Sequence, residues 1–253
     1  MDRIIYTAMN GAARIVEQQA ALSNNLANVN TPGFREQLSL YRSVPINDGI
    51  SYPTRVATVA STPGSNFALG NIETTGRELD VAVAGEGWLT VQTPQGEAYT
   101  RAGGLQVGLN GLLQTQLGQP VLSDQNAPIE VPDQASLTIA SDGTITAVGA
   151  GDPPNAILNL GRIKLVNPPP AQLVRGDDGV FRLQGVNGQP PAPLQADPAL
   201  RVMTGVLEGS NADPTTAMVG MIENARRFEM QMQVIGQAST NADRANGILS
   251  AAG

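Results

Sequence analysis

The sequence predicts an α+β protein in which N- and C-terminal coiled-coil helices pair with each other and an antiparallel β-rich domain is inserted between them. Three observations predict this. Apolar residues recur on a heptad spacing over residues 2–30 and 215–250, the spacing changes to two between those stretches, and glycine-containing turn dipeptides punctuate the middle at strand-length intervals. The chain divides accordingly into an N-terminal helix (1–34), an extended connector (35–75), a central β domain (76–205) and a C-terminal helical segment (206–253).

Residues 2–30 read as one helix. With Ile5 at position a, the a residues are Ile5, Ala12, Gln19 and Leu26, and the d residues are Ala8, Ile15, Leu22 and Val29. This is a coiled-coil pattern interrupted only by Gln19. Gln19 either fixes the register, as polar a residues do, or faces a gap in a mixed helical layer, and the sequence leaves both open. Asp2 can cap the start, and Thr31-Pro32-Gly33 stops the helix. A helix of this length spans about 43 Å, more than one small domain can cover.

The segment 35–75 holds Pro45, Pro53 and Pro63 with few apolar runs, which gives the extended connector. Beyond it, strands are expected at Trp88 to Gln92, Leu137 to Ile139, Thr144 to Thr146, Arg162 to Val166 and Val180 to Leu183. Gln95-Gly96, Asn110-Gly111, Asp142-Gly143, Asp178-Gly179 and Asn187-Gly188 supply the turns. Alternation places Lys164 on the solvent side of its strand.

Asp213-Pro214 is a strong helix start, with Asp at the N-cap and Pro at the first helical position. From there the d residues Met221, Phe228, Ile235, Ala242 and Leu249 are all apolar. The a residues Met218, Ala225, Met232, Ser239 and Asn246 turn polar towards the C-terminus. Gly220, Gly236 and Gly247 weaken the intrinsic propensity, so both terminal helices depend on partners for stability. The methionines at 218, 221, 230 and 232 suit adaptable packing against non-identical neighbours. Arg226 and Arg227, set among Glu223 and Glu229, read as a solvated charged face.

Composition narrows the function. The chain of 253 residues has no cysteine and no histidine, which removes thiolate and imidazole metal sites, cysteine nucleophiles and Ser-His triads. Lys164 is the sole lysine, so amine chemistry would rest on one residue. A carboxylate-pair glycoside hydrolase needs neither His nor Cys, but nothing selects a pair among the acids, and aromatics make up only 4% of the chain. Gly85-Glu86-Gly87 reads as a tight turn, because residue 90 is Thr where a dinucleotide loop needs Gly. Asp177-Asp178-Gly179 lacks the alternating oxygen ligands of a calcium loop and reads as a hairpin turn. No catalytic, cofactor-binding or metal-binding residue is assigned.

The net charge is −7. Asp2, Arg3, Arg14 and Glu17 cancel in the first helix, as do the six charges of residues 215–253, so the acid excess lies in the middle. An acidic centre without a basic stripe argues against a nucleic-acid partner. Weakly charged ends suit burial against other protein, which makes the heptad residues of both helices the expected assembly interface. There is no secretory signal peptide pattern and no run long enough to insert in a membrane.

The segment Ser23-Asn24-Asn25-Leu26-Ala27-Asn28-Val29-Asn30-Thr31-Pro32-Gly33-Phe34 closely resembles the signature of the flagellar rod and hook axial proteins, an Asn-Asn-Leu-Ala-Asn core followed by a Thr-x-Gly-Phe turn. Physically, Leu26 and Val29 hold the seam while Asn28 and Asn30 can satisfy carbonyls freed at the helix end. Gly33 can supply positive φ, and Phe34 packs the exit. The resemblance extends through Leu79 to Val83 with Gly85-Glu86-Gly87-Trp88, Tyr99-Thr100-Arg101-Ala102-Gly103 and Gly205 to Asn211. Within the family, Met1 to Met9 and Arg226 to Ile235 are similar to the proximal-rod branch. The distal-rod branch, the close alternative, usually carries an aromatic pair after the Gly-x-Gly and Arg-Ala-Tyr in the last helix. Here Trp88-Leu89 and Arg227-Phe228 stand in those places.

The resemblance implies a structural, non-enzymatic rod subunit located in the periplasm. It would be exported without a cleaved signal peptide through the flagellar type III export apparatus, then assemble with its own copies and with proximal and distal rod subunits to transmit torque. A secreted coiled-coil protein outside the rod is the remaining alternative; such a protein need not carry the Asn-Asn-Leu-Ala-Asn signature.

Overall fold

The computed structural model describes residues 2–45, 56–60, 64–149, 153, 156–185 and 191–251. The chain is α+β, with two helices, α1 (Asp2–Ala27) and α2 (Pro214–Ala251), and many short antiparallel strands between them. It forms two compact units. One combines residues 1–28, 36–66 and 212–253; the other combines 29–35 and 67–211.

In the helical unit α1 and α2 pack side by side and run antiparallel. Gly11 faces the Gln231 side chain, and Gly220 faces Leu22, so residue numbers rise along one helix as they fall along the other. α1 ends three residues before the expected Asn30, because Asn28 turns its amide back on Asn24: Asn28 Nδ2 donates to the Asn24 carbonyl at 2.8 Å. Pro214 opens α2 as the sequence predicts. Asp213 Oδ1 accepts the Thr215 backbone N–H at 2.9 Å, and Thr216 Oγ1 donates to Asp213 Oδ2 at 2.6 Å. These bonds, that from Thr216 first, hold the Asp213 carboxyl below the ordinary aspartate value. The side chain of Asp2, expected to cap α1, lies outside the described residues.

Part of the segment read as an extended connector is strand-paired in this unit. Gln37–Leu38 pairs with Gly64–Ser65, and Tyr41–Pro45 pairs with Val56–Ala60. Asn25, buried on α1, fixes the first of these ribbons: its Oδ1 accepts the Gln37 N–H at 2.8 Å and its Nδ2 donates to the Gln37 carbonyl at 3.0 Å.

The second unit is the β domain. Its largest sheet contains β1 (Trp88–Thr93), β2 (Gly96–Thr100), β3 (Leu165–Val166), β4 (Leu173–Arg175) and β5 (Phe181–Leu183), in the order β3-β1-β2-β5-β4. Both faces of this sheet are covered. Leu89, Val91, Ala98 and Leu165 join an aliphatic core with Leu105, Leu113, Ile145 and Ile163, while Trp88, Tyr99, Val166 and Phe181 build an aromatic core on the other face. The rings of Trp88 and Phe181 lie 4.9 Å apart, and Phe67 completes the cluster. The turn dipeptides at 110–111, 142–143 and 178–179 sit between paired strands, and that at 95–96 closes the β1–β2 hairpin with Gly96 already paired to Thr93; Asn187-Gly188 lies outside the described residues.

Lys164 departs from its expected solvent position. The stretch expected as one strand changes partners midway: Arg162 pairs with Thr144, whereas Leu165 and Val166 pair with Leu89 and Trp88. Lys164 lies at the crossing, fully enclosed. Its Nζ is 2.8 Å from Glu97 Oε2 and 2.5 Å from Asn126 Oδ1. A lysine is tolerated there because a carboxylate and an amide oxygen meet it.

Candidate assembly interface and its buried anchor

Along α1 the expected seam is the less exposed face. Ala8 and Ala12 are buried, and Ile5, Ile15, Leu22 and Leu26 are half-buried. Val29 lies beyond the helix end and belongs to the β domain. The seam of α2 runs one residue away from the expected a positions. Ala217, Asn224 and Ala238 are buried and Gln231 is half-buried, alternating with half-buried Met221, Ile235 and Ala242 and with Phe228 at the edge. Met218, Ala225 and Met232 face outward. Apolar character misdirects the sequence reading here: the seam accepts polar Gln231 because Gly11 leaves room for its amide, 3.3 Å from where a Cβ would stand. Leu249 lies in α2, with its side chain outside the described residues.

A second stripe is therefore left uncovered on each helix. On α1 Tyr6, Met9, Ala13, Val16, Ala20 and Ala27 are all exposed, with no charge among them. On α2 Met218, Ile222, Ala225 and Met232 are exposed as well, with exposed Glu229 between the last two. Exposed apolar residues gathered on one helix face mark a protein contact.

Within the β domain, the segments that follow α1 and precede α2 in sequence meet at one buried carboxylate, Glu208. Its Oε1 accepts Arg35 Nη2 at 2.6 Å and the Gly70 N–H at 2.9 Å, and its Oε2 accepts Arg101 Nη1 at 2.9 Å. The Glu208 carbonyl accepts the Gly33 N–H at 2.7 Å. Arg101 also donates to the carbonyls of Val83 and Gly85, at 3.2 and 2.5 Å. Both guanidiniums stand about 6 Å from the Trp88 ring centre, within cation–π range. Burial lowers the pKa of Arg101, and the Glu208 charge opposes that shift.

Gly33 adopts φ +70°, and an added Cβ would stand 2.2 Å from the Arg101 carbonyl carbon. Phe34 is buried with the Arg175 guanidinium 4.3 Å above its ring, and Arg175 Nη1 reaches the Arg35 carbonyl at 2.8 Å. The motifs read separately in the sequence, at 31–34, 79–88, 99–103 and 205–211, thus meet in one place. No sequence pattern pairs Arg35 with Glu208; adjacency to the motifs is the available signal. No group of three or more His, Cys, Asp or Glu able to hold a metal occurs among the described residues, and no helix is long and apolar enough to cross a membrane.

The same motif regions carry the relationships to known proteins. Residues 5–35 match the family described as "Flagella basal body rod protein", 82–147 match "Flagellar hook protein FlgE/F/G D1 domain", and 203–248 match "Flagellar basal body rod FlgEFG protein C-terminal". These matches place the architecture in the class of flagellar rod and hook proteins. Over 99% of both chains, the protein is 52% identical to flagellar basal-body rod protein FlgF of Escherichia coli K12 and 50% identical to FlgF of Salmonella typhimurium LT2. FlgG of Bacillus subtilis 168 is 28% identical over 93% of this chain and 94% of its own. The chain belongs to the FlgF family of flagellar basal-body rod proteins and is a structural rod component, not an enzyme.

Proposed function

We propose that the protein is a subunit of the proximal rod that assembles through its terminal helices and transmits torque between rotor and distal rod. The single observation that carries this reading is the uncovered apolar stripe on each of two helices that already pair with each other, exemplified by Met9 and Met232, 53% and 49% exposed. One face of each helix is used within the chain, and the other is left for its own copies and for other proximal and distal rod subunits in coiled-coil-like packing. The relatives named as basal-body rod proteins support the setting. Such a subunit reaches the periplasm through the flagellar export apparatus without a cleaved signal peptide, and helices of low intrinsic stability suit passage as an unfolded chain.

The test is substitution in the uncovered stripes. Met9→Asp or Met232→Asp should abolish incorporation into basal bodies, scored by mass spectrometry of the purified particles, while Trp88 fluorescence shows an intact β domain. Swimming cells whose rods contain either variant would remove the uncovered stripes from the assembly mechanism.

A further inference from the structure

Glu208 connects segments far apart in sequence, and its surroundings give it a role beyond local packing. It is 1% exposed and lies six residues before α2 begins. Its side chain and carbonyl together bind residues 33, 35, 70 and 101. Arg35, also 1% exposed, follows α1 by eight residues and has Glu208 as its ion-pair partner; its Nε and Nη1 meet no acceptor among the described residues. Phe34 and Asn211 extend the same connection, the Asn211 N–H donating to the Phe34 carbonyl at 3.3 Å.

We propose that Glu208 is a folding latch that makes the roots of the two terminal helices order as one event. A buried carboxylate facing two buried guanidiniums ties all three together, because removing Glu208 leaves two guanidiniums uncompensated in a low-dielectric site and removing Arg35 takes a charge-assisted hydrogen bond from Glu208 Oε1. The segment 29–35 cannot dock without Glu208 to receive Arg35. The segment 204–211 in turn loses one of the two guanidinium hydrogen bonds to Glu208, and its Gly33 contact, when 29–35 is absent. Two ends of the chain that leave the β domain in opposite sequence directions are thereby ordered together. The value of this joint ordering rests on the rod reading, but the latch is a property of the monomer and is tested without assembly.

The experiment is native-state hydrogen exchange of the full-length monomer, read by mass spectrometry on peptides covering 29–35, 68–72, 88–100, 136–148 and 204–211. Arg35→Met is the principal variant, because it leaves Glu208 paired with Arg101; Glu208→Gln is the second. Trp88, the single tryptophan and itself beside both arginines, reports by fluorescence that the domain is folded. The expected result for Arg35→Met is at least a tenfold loss of protection in 29–35 and in 204–211 together, with 136–148 at wild-type protection. Glu208→Gln should add 68–72 to the affected set. If Arg35→Met loosens 29–35 alone and 204–211 keeps its protection, the two roots order independently and the latch is overturned. A Glu208→Gln protein that does not fold leaves the decision with Arg35→Met.

Discussion

Replacing Lys164 with Met separates a buried ion pair from ordinary side-chain packing. The amine is fully enclosed, 2.8 Å from a Glu97 carboxylate that is itself 11% exposed. Met preserves most of the volume and removes the charge, leaving Glu97 with the Tyr99 hydroxyl, which donates to its other oxygen at 3.0 Å. Breaking a buried pair from one side costs about 3–5 kcal/mol. For a domain of roughly 150 residues each kcal/mol moves Tm by about 2–4 °C, so the melt of Trp88 fluorescence should fall by about 6–20 °C. The double variant Lys164→Met/Glu97→Leu removes both charges and should recover most of that loss, since well-packed apolar replacements of buried pairs are often neutral or stabilising. A single variant melting within 2 °C of wild type, or a double variant no better than the single, would refute the assignment of the pair as buried and mutually dependent.

Gly33→Ala should lower the urea midpoint sharply: positive φ alone costs about 1–3 kcal/mol for a non-glycine residue, and the added methyl would collide with the Arg101 backbone. Asp213→Ala should fray the first turn of α2, seen as faster exchange of the amides after Pro214. The same fraying should appear in the wild-type protein under acid. The Asp213 pKa is lowered in the folded state, chiefly by the Thr216 hydroxyl, so the cap is fully present above the ordinary aspartate value and is lost as pH falls through the lowered one. Met9→Gln combined with Met232→Gln should leave monomer stability within about 0.5 kcal/mol, because both side chains are exposed, yet reduce recovery in purified basal bodies.

The elements were legible where one physical rule governed them. The seam of α1 follows its apolar heptads, the start of α2 follows Asp213-Pro214, and glycine turn pairs mark the hairpins. Legibility ended where long-range contacts reversed a local rule. Asn224 and Gln231 are polar yet lie in the α2 seam, while Met218 and Met232 are apolar yet face outward, so hydrophobicity shifted the expected seam by one residue. Alternation puts Lys164 in solvent because it presumes a single strand with one open face. In the folded chain that stretch passes from one sheet to another and is covered on every side. Neither reversal can be read from neighbours in sequence, since the deciding partners, Gly11 for Gln231 and Glu97 for Lys164, are distant.

The glycines of the motif regions follow from the same long-range geometry. Gly33, Gly70 and Gly103 do not share a turn type, but each lies where two backbones touch. A Cβ on Gly33 would meet the Arg101 carbonyl carbon at 2.2 Å, one on Gly70 the Gly209 oxygen at 2.1 Å, and one on Gly103 the Val81 oxygen at 1.5 Å. These approaches surround Glu208, where close packing of main chains keeps the carboxylate and its arginines out of water. A motif that reads locally as a helix end followed by a turn is therefore half of an interface whose other half lies on distant segments. Its Asn28 serves the helix end and its Asn25 the ribbon at Gln37, while its Gly33 and the Arg35 that follows serve the carboxylate.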